Sequence, residues 1–174
     1  MDIVLLFPGQ GSQTPGMGKD LAAAFPAARD VFREVDEALG ADLRTLCFEG
    51  PADDLTLTQN AQPALLAHGA AVWAVLREAL TGRVRAAAGH SLGEFTAYHA
   101  AGALDIGSAA RLVRRRGELM YASGVARPGT MAAILGDPAE PIDVICARAS
   151  QEAALVVPAN YNAPGQLVIA GNAA

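Results

Sequence analysis

Five residues, Gly89-His90-Ser91-Leu92-Gly93, constrain the fold more than any other stretch of the chain. They follow a run of small and apolar residues, Val84 to Ala88, and lead into a helix-like run from Leu92 to about Ala101. Glycines on either side of a serine let strand and helix backbones approach closely. The spacing therefore predicts a strand, a tight turn and a helix, with the serine at the tip. A hydroxyl in that position sits above a helix N-terminus, whose free N–H groups can stabilise an oxyanion. The five-residue pattern also fits an ordinary Ser-Gly turn; the apolar strand before it and the apolar helix after it favour a nucleophile.

The rest of the chain divides into two patterns. "DIVLLF", Asp2 to Phe7, is an apolar run stopped by Pro8-Gly9 and reads as a buried strand. A glycine-rich loop, "PGQGSQTPGMG", leads into helical material from about Lys19 to Leu39. "PADDLTLTQNAQPA" reads as a connection with one or two short turns, and Asn60 to Leu80 as a long helix buried on several sides, with Pro63 in its first turn. Gly102 suits a helix stop, and Ser108 to Tyr121 a further helix. From there the pattern changes to strand (Thr130–Leu135), helix (Pro141–Ser150), strand (Ala154–Tyr161), a turn at "NAPGQ", and strand (Leu167–Ala170). That order, β-α-β-β, is the opening of a ferredoxin-like unit. Residues 1–125 hold many helices but two convincing strands, too few for a parallel sheet, so both parts are expected to need more chain.

Composition narrows the function classes. With 52% hydrophobic and 18% charged residues the chain is a folding sequence. A net charge of -5 argues against a general nucleic-acid binder. No apolar run is long enough to cross a bilayer, and Asp2 stands where a signal peptide carries positive charge, so a soluble, cytoplasmic protein is expected. Cys47 and Cys146 lie far apart, outside any CxxC or histidine cluster, and are expected to be buried thiols with no metal.

A nucleophilic serine needs a base, and the chain has three histidines. His90 adjoins the serine and leaves the turn in another direction, His68 lies in the long buried helix, and His99 lies two turns along the next helix. None makes a convincing dyad with Ser91. A second charged feature is clearer. On the helix "SAARLVRRRGELMYA", the residues Ala109, Leu112, Val113, Leu119 and Met120 share one stripe with Arg116 near its centre, while Arg111, Arg114 and Glu118 fall on the far, solvated side. A guanidinium on an apolar face needs an anion, either an internal carboxylate or the carboxylate of a substrate.

Four stretches, "FPGQGSQTPGMG", "GHSLGEF", "RRRGELM" and "NYNAPGQLVIAGN", occur in the order found in one family. The chain resembles the malonyl-CoA:acyl-carrier-protein transacylases and the acyltransferase domains of fatty-acid and polyketide synthases, over essentially its whole length. The resemblance implies an α/β fold: an incomplete α/β-hydrolase-like large subdomain (1–125) with an incomplete ferredoxin-like small one (126–174). It implies ping-pong transfer from malonyl-CoA through a malonyl-Ser91 ester to the phosphopantetheine thiol of acyl carrier protein, with no cofactor beyond the coenzyme A thioester substrate. Gln10 and Leu92 would supply backbone oxyanion donors and Arg116 would hold the malonyl carboxylate. Asn162 and His90 fall with the substrate-binding residues. The family's catalytic histidine lies in a Ser-x-x-x-His-type segment beyond the last strand and is therefore expected outside this chain. The chain is then expected to be an N-terminal portion, impaired alone, and a complementary C-terminal chain becomes a further partner.

Two other classes share part of this pattern. A serine esterase or thioesterase shares the turn around Ser91 but gives no reason for Arg116. A non-catalytic fragment that binds carrier protein would use local arginines such as Arg114, Arg115 and Arg148. A chain opening at a methionine without a linker favours fatty-acid synthesis over a polyketide pathway.

Overall fold

In a computed structural model describing residues 1–152 and 154–172, the first apolar run forms β1, Ile3–Phe7, which stops at Pro8. It pairs in parallel with β2, Val84–Gly89, in a register running from Ile3 against Val84 to Phe7 against Gly89. A parallel pair needs a crossover, and this one contains five helices: α1 (Lys19–Ala24), α2 (Pro26–Leu39), α3 (Leu43–Glu49), α4 (Ala52–Thr56) and α5 (Thr58–Leu76).

The helical material expected over about 19–39 forms two helices that part at Phe25, which is extended at φ -124° and ψ 118°. Pro26 is the cause: its ring excludes the α conformation from the residue before it while suiting the first position of the next helix. Helix α2 turns Ala28, Phe32 and Val35 inward and ends at Gly40 in the left-handed region. Phe32 meets Phe48 edge to face, with ring centroids 5.1 Å apart, a pairing worth about 0.5–1.5 kcal/mol beyond burial. Helix α3 adds to the expected elements; Asp42 caps it by accepting from the Thr45 N–H at 3.0 Å.

Helix α5 starts two residues before the expected point, so Pro63 is its sixth residue and lies inside it rather than in the first turn. It ends at Leu76, short of the expected Leu80. Ala61 through Ala67, with Ala70 and Ala71, are all buried, as expected for a helix covered on several sides. Beyond β2 come α6 (Gly93–Ala100) and α7 (Ile106–Ala126). The buried face of α7 is Ile106, Ala109, Ala110, Val113 and Gly117, which corrects the stripe inferred from the helical wheel. Ala109 and Val113 belong to it, but Leu112, Leu119 and Met120 are exposed. Apart from Ile106 and Val113 the face is made of small residues, and at Gly117 the reason is geometric. A Cβ there would lie 2.6 Å from Gln59 Cα and 2.7 Å from the Thr58 carbonyl oxygen.

Two compact units divide the chain within α7, Met1–Tyr121 and Ala122–Ala174. The second contains β3 (Gly129–Leu135), α8 (Ile142–Ala149), β4 (Val156–Ala163) and β5 (Gln166–Asn172), an antiparallel sheet in the order β3-β5-β4. Helix α8 buries Ile142 and Cys146. At its end Ser150 Oγ donates to the Cys146 carbonyl at 2.9 Å and accepts from Val156 N–H at 3.1 Å, tying the helix to β4. The fold is mixed α/β. Among the described residues no helix is long and apolar enough to cross a membrane.

Candidate active site

Ser91 is the one non-glycine residue among those described with a positive φ, 55°. The left-handed region costs an L-residue with a Cβ about 1 kcal/mol, so the turn is held by its surroundings. Two glycines make this possible. A Cβ on Gly89 would overlap the carbonyl group of Gly93, and one on Gly93 would overlap the Phe7 carbonyl oxygen and lie 2.8 Å from that of Pro8. Helix α6 therefore starts directly against the ends of β1 and β2. His90 N–H donates to the Phe7 carbonyl at 3.1 Å, Gly93 N–H to that of His90 at 2.9 Å, and the Leu92 side chain is 1% exposed beneath the turn. The Ser91 side chain is left at the surface.

The glycine-rich loop lies against the same turn. A Cβ on Gly9 would come within 2.5 Å of His90 Nδ1 and 2.9 Å of its carbonyl oxygen. Ser12 Oγ donates to the Gly9 carbonyl at 3.0 Å, and Gly11 N–H donates to Gln13 Oε1 at 2.8 Å. The loop is thus folded on itself and carries Gln10 beside the serine turn.

Arg116, half-buried on α7, reaches Ser91: its Nη2 donates to Oγ at 2.8 Å. Its Nη1 donates to Gln62 Oε1 at 2.6 Å. Among the described residues no Asp or Glu forms an ion pair with it. The internal carboxylate that its position could have required is replaced by a neutral amide and a hydroxyl. A guanidinium held this way keeps its charge directed at the serine oxygen, where it stabilises negative charge on that oxygen or on a carboxylate placed beside it. Gln62 is fully buried, and its Nε2 donates to Thr58 Oγ1 at 2.9 Å and to Met120 Sδ at 3.3 Å. Thr58 Oγ1 in turn donates to Gln10 Oε1 at 3.0 Å.

The remaining site residues divide. Ser91, Leu92, His90, Gln10 and Arg116 lie in the first unit, and Asn162 lies on β4 in the second, with its residue surface exposed. His99 Nδ1 is engaged by the Leu104 carbonyl at 3.1 Å. His68 lines a cavity of about 150 Å³ with Phe7, Ser12, Leu65 and Thr96, and burial pushes its imidazole below the ordinary value. Cys47 and Cys146 are buried, and burial, with Asp36 nearby, pushes the Cys47 thiol up to about 12. Arg114 is a correction. It is half-buried instead of solvated, it donates to Asn60 Oδ1 at 2.7 Å, and burial lowers its pKa. It is therefore not a free docking charge. Arg115 and Arg148 are paired with Glu118 and Glu140.

Gln62 and Thr58 were not among the residues singled out from sequence. The available signal was Gln62 itself, a lone amide inside the apolar run "AQPALLAHGAAVWAVL". A buried amide needs partners, and the guanidinium is one of them.

The malonyl CoA-acyl carrier protein transacylase of Bacillus subtilis (strain 168) is 50% identical over 172 residues, 98% of this chain and 54% of that protein. The solved acyl-carrier-protein-S-malonyltransferase from Bartonella henselae matches with a TM-score of 0.90 at 47% identity, over 98% of this chain and 55% of that one. A malonyl-transacylase solved in complex with its type II polyketide-synthase acyl-carrier protein matches with a TM-score of 0.87 at 44% identity, over 98% and 55%. The chain spans about half the length of the relatives it matches. The model of the acyl transferase domain matches residues 4–174, and the chain belongs to that family.

Proposed function

We propose that the chain forms part of a malonyl-CoA:acyl-carrier-protein transacylase, with Ser91 as nucleophile and Arg116 as the fork for the malonyl carboxylate. One observation carries the proposal: Arg116 holds a guanidinium 2.8 Å from Ser91 Oγ without an ion-pair partner among the described residues. An esterase has no use for a cation there, whereas an acyl group ending in a carboxylate has.

Ser91 Oγ attacks the thioester carbonyl carbon of malonyl-CoA and gives its proton to a base. The carbonyl oxygen becomes an oxyanion, held by the backbone N–H groups of Gln10 and Leu92. The C–S bond then breaks, coenzyme A leaves as the thiol after taking up the proton, and a malonyl-Ser91 ester remains. The phosphopantetheine thiol of the carrier protein attacks that ester and releases the serine hydroxyl. His90 and Asn162 are assigned to substrate contacts. The base is assigned to the length of the family's domain that this chain does not span, which makes a complementary C-terminal segment the natural partner.

On this reading residues 1–125 are part of an α/β-hydrolase-like subdomain and 126–174 part of a ferredoxin-like one, working in the cytoplasm on fatty-acid synthesis. The relative solved with its carrier protein supports acyl carrier protein as acceptor. The test is intact mass after incubation with malonyl-CoA. A malonyl adduct on Ser91, absent from Ser91→Ala, supports the proposal. Faster loading from acetyl-CoA or p-nitrophenyl acetate than from malonyl-CoA points to an esterase instead.

A further inference from the structure

From Arg116 to the glycine-rich loop the side chains form a hydrogen-bonded row in which each donates to the next, while Arg116 also donates to Ser91. Arginine has donors only. Gln62 must therefore present Oε1 to it, which turns Nε2 towards Thr58 and Met120. Thr58 Oγ1 accepts from Gln62, and its single proton is directed at Gln10 Oε1. The row starts at the nucleophile, passes through Arg116, Gln62 and Thr58, and returns to the glycine-rich loop that lies against the nucleophile's own turn. Gln62 cannot be flipped without facing its NH2 group to the guanidinium. The middle of the row has little room to relax, because Gln62 is fully buried and α7 presses on the Thr58 and Gln59 backbone at Gly117.

We propose that Thr58 is a positioning residue that couples carboxylate capture at Arg116 to the placement of the Gln10 loop. This rests on the carboxylate role proposed above for Arg116. A carboxylate on the guanidinium competes with Gln62 Oε1 for it, and hydrogen bonds in a row strengthen and weaken together. The change passes through the Thr58 hydroxyl to Gln10, whose loop carries the oxyanion donor. A neutral acyl group leaves the row as it is. Discrimination between malonyl and neutral groups then enters the acylation step as well as binding.

The test uses the 15N-labelled chain, with malonate as probe and neutral malonamide as control. In the wild type, malonate is expected to move both the Arg116 Nε–H signal and the Gln10 backbone N–H, and malonamide neither. In Thr58→Val, which keeps the shape and removes the hydroxyl, Arg116 still responds and Gln10 does not. Thr58→Ser restores both responses. Acylation of Ser91 by malonyl-CoA falls about 5-fold or more in the valine variant, beyond any fall with acetyl-CoA, and recovers in the serine variant. A Gln10 response that persists in Thr58→Val, or equal losses in the two variants, overturns the coupling. If malonate leaves Arg116 unmoved in the wild type, the carboxylate role itself fails. The row is then judged on ligand-free spectra: an Arg116 Nε–H unchanged by Thr58→Val overturns it, and a displaced one supports it.

Discussion

Gly117→Ala offers a test in which two physical effects predict opposite signs. Alanine is a better helix former than glycine by about 1 kcal/mol, so propensity alone predicts a more stable protein. Packing predicts the reverse. The added Cβ would lie 2.6 Å from Gln59 Cα, whereas an ordinary contact begins at 3.4 Å, so α7 has to withdraw by the difference, 0.8 Å. The obstacle is backbone on both sides and cannot turn aside. Overpacking of this kind costs about 1–3 kcal/mol, which outweighs the helix gain and leaves a net loss of up to about 2 kcal/mol. The displacement also reaches the site next door. Withdrawn along its own direction, the Arg116 to Ser91 bond lengthens from 2.8 Å to about 3.6 Å, at which it is no longer a hydrogen bond. Misplacement on that scale can cost about 100-fold in rate. Urea unfolding followed by helical circular dichroism measures the first effect, and the rate of Ser91 acylation the second. Gly124→Ala is the control: it lies on the same helix with nothing within 4 Å and should gain up to about 1 kcal/mol. A Gly117→Ala protein more stable than the wild type, as propensity alone predicts, would refute the packing argument.

Other expectations follow from single contacts. Ser91→Gly should be more stable than the wild type by about 1 kcal/mol in urea unfolding, because the left-handed φ of 55° costs glycine nothing, and it should take no acyl group. Arg116→Ala should slow malonyl loading about 10- to 100-fold while sparing acetyl loading; a change that harms acetyl loading and spares malonyl loading contradicts the assignment. Burial holds the His68 pKa below 6.5, so the unfolded chain takes up a proton there before the folded chain does. His68 therefore costs nothing above about pH 6.5, and stability falls as pH drops from there towards the depressed folded value. His68→Gln should lose less stability than the wild type between pH 7.5 and 5.5. Cys47 and Cys146, both buried, should react with a thiol reagent only after denaturant is added.

The serine turn was legible because its requirements are local: two glycines, a strand before and a helix after all sit between Val84 and Ala100. The helix break at Phe25 has a local cause too: Pro26 disfavours the α conformation at the residue before it. Helix α7 misled for a different reason. Its wheel places large apolar residues together, but the face it buries is Ile106, Ala109, Ala110, Val113 and Gly117, with Gly117 directly against the Thr58 and Gln59 backbone, and Leu112, Leu119 and Met120 are exposed. The same close approach brought Arg116 to Gln62 across 54 residues and turned Arg114 inward onto Asn60. Periodicity ranks positions on one helix and carries no information on how near the next helix comes. Gln10 and Thr58, 48 residues apart, meet for a similarly nonlocal reason.

The pairing of Ile3 with Val84 closes a loop spanning 81 positions, the difference of the two numbers, whereas β4 and β5 meet across a tight turn at Pro164 and Gly165. Chain closure over the longer span has the larger entropic cost and is won back only when the intervening helices have packed. The hairpin should therefore gain protection from hydrogen exchange early in refolding, and the parallel pair late. Gly93 and Ser91 reach their strained arrangement only against the finished end of β1. A partly folded chain thus carries an ordinary, unactivated serine, and reactivity at Ser91 doubles as a marker that the first unit has completed its fold.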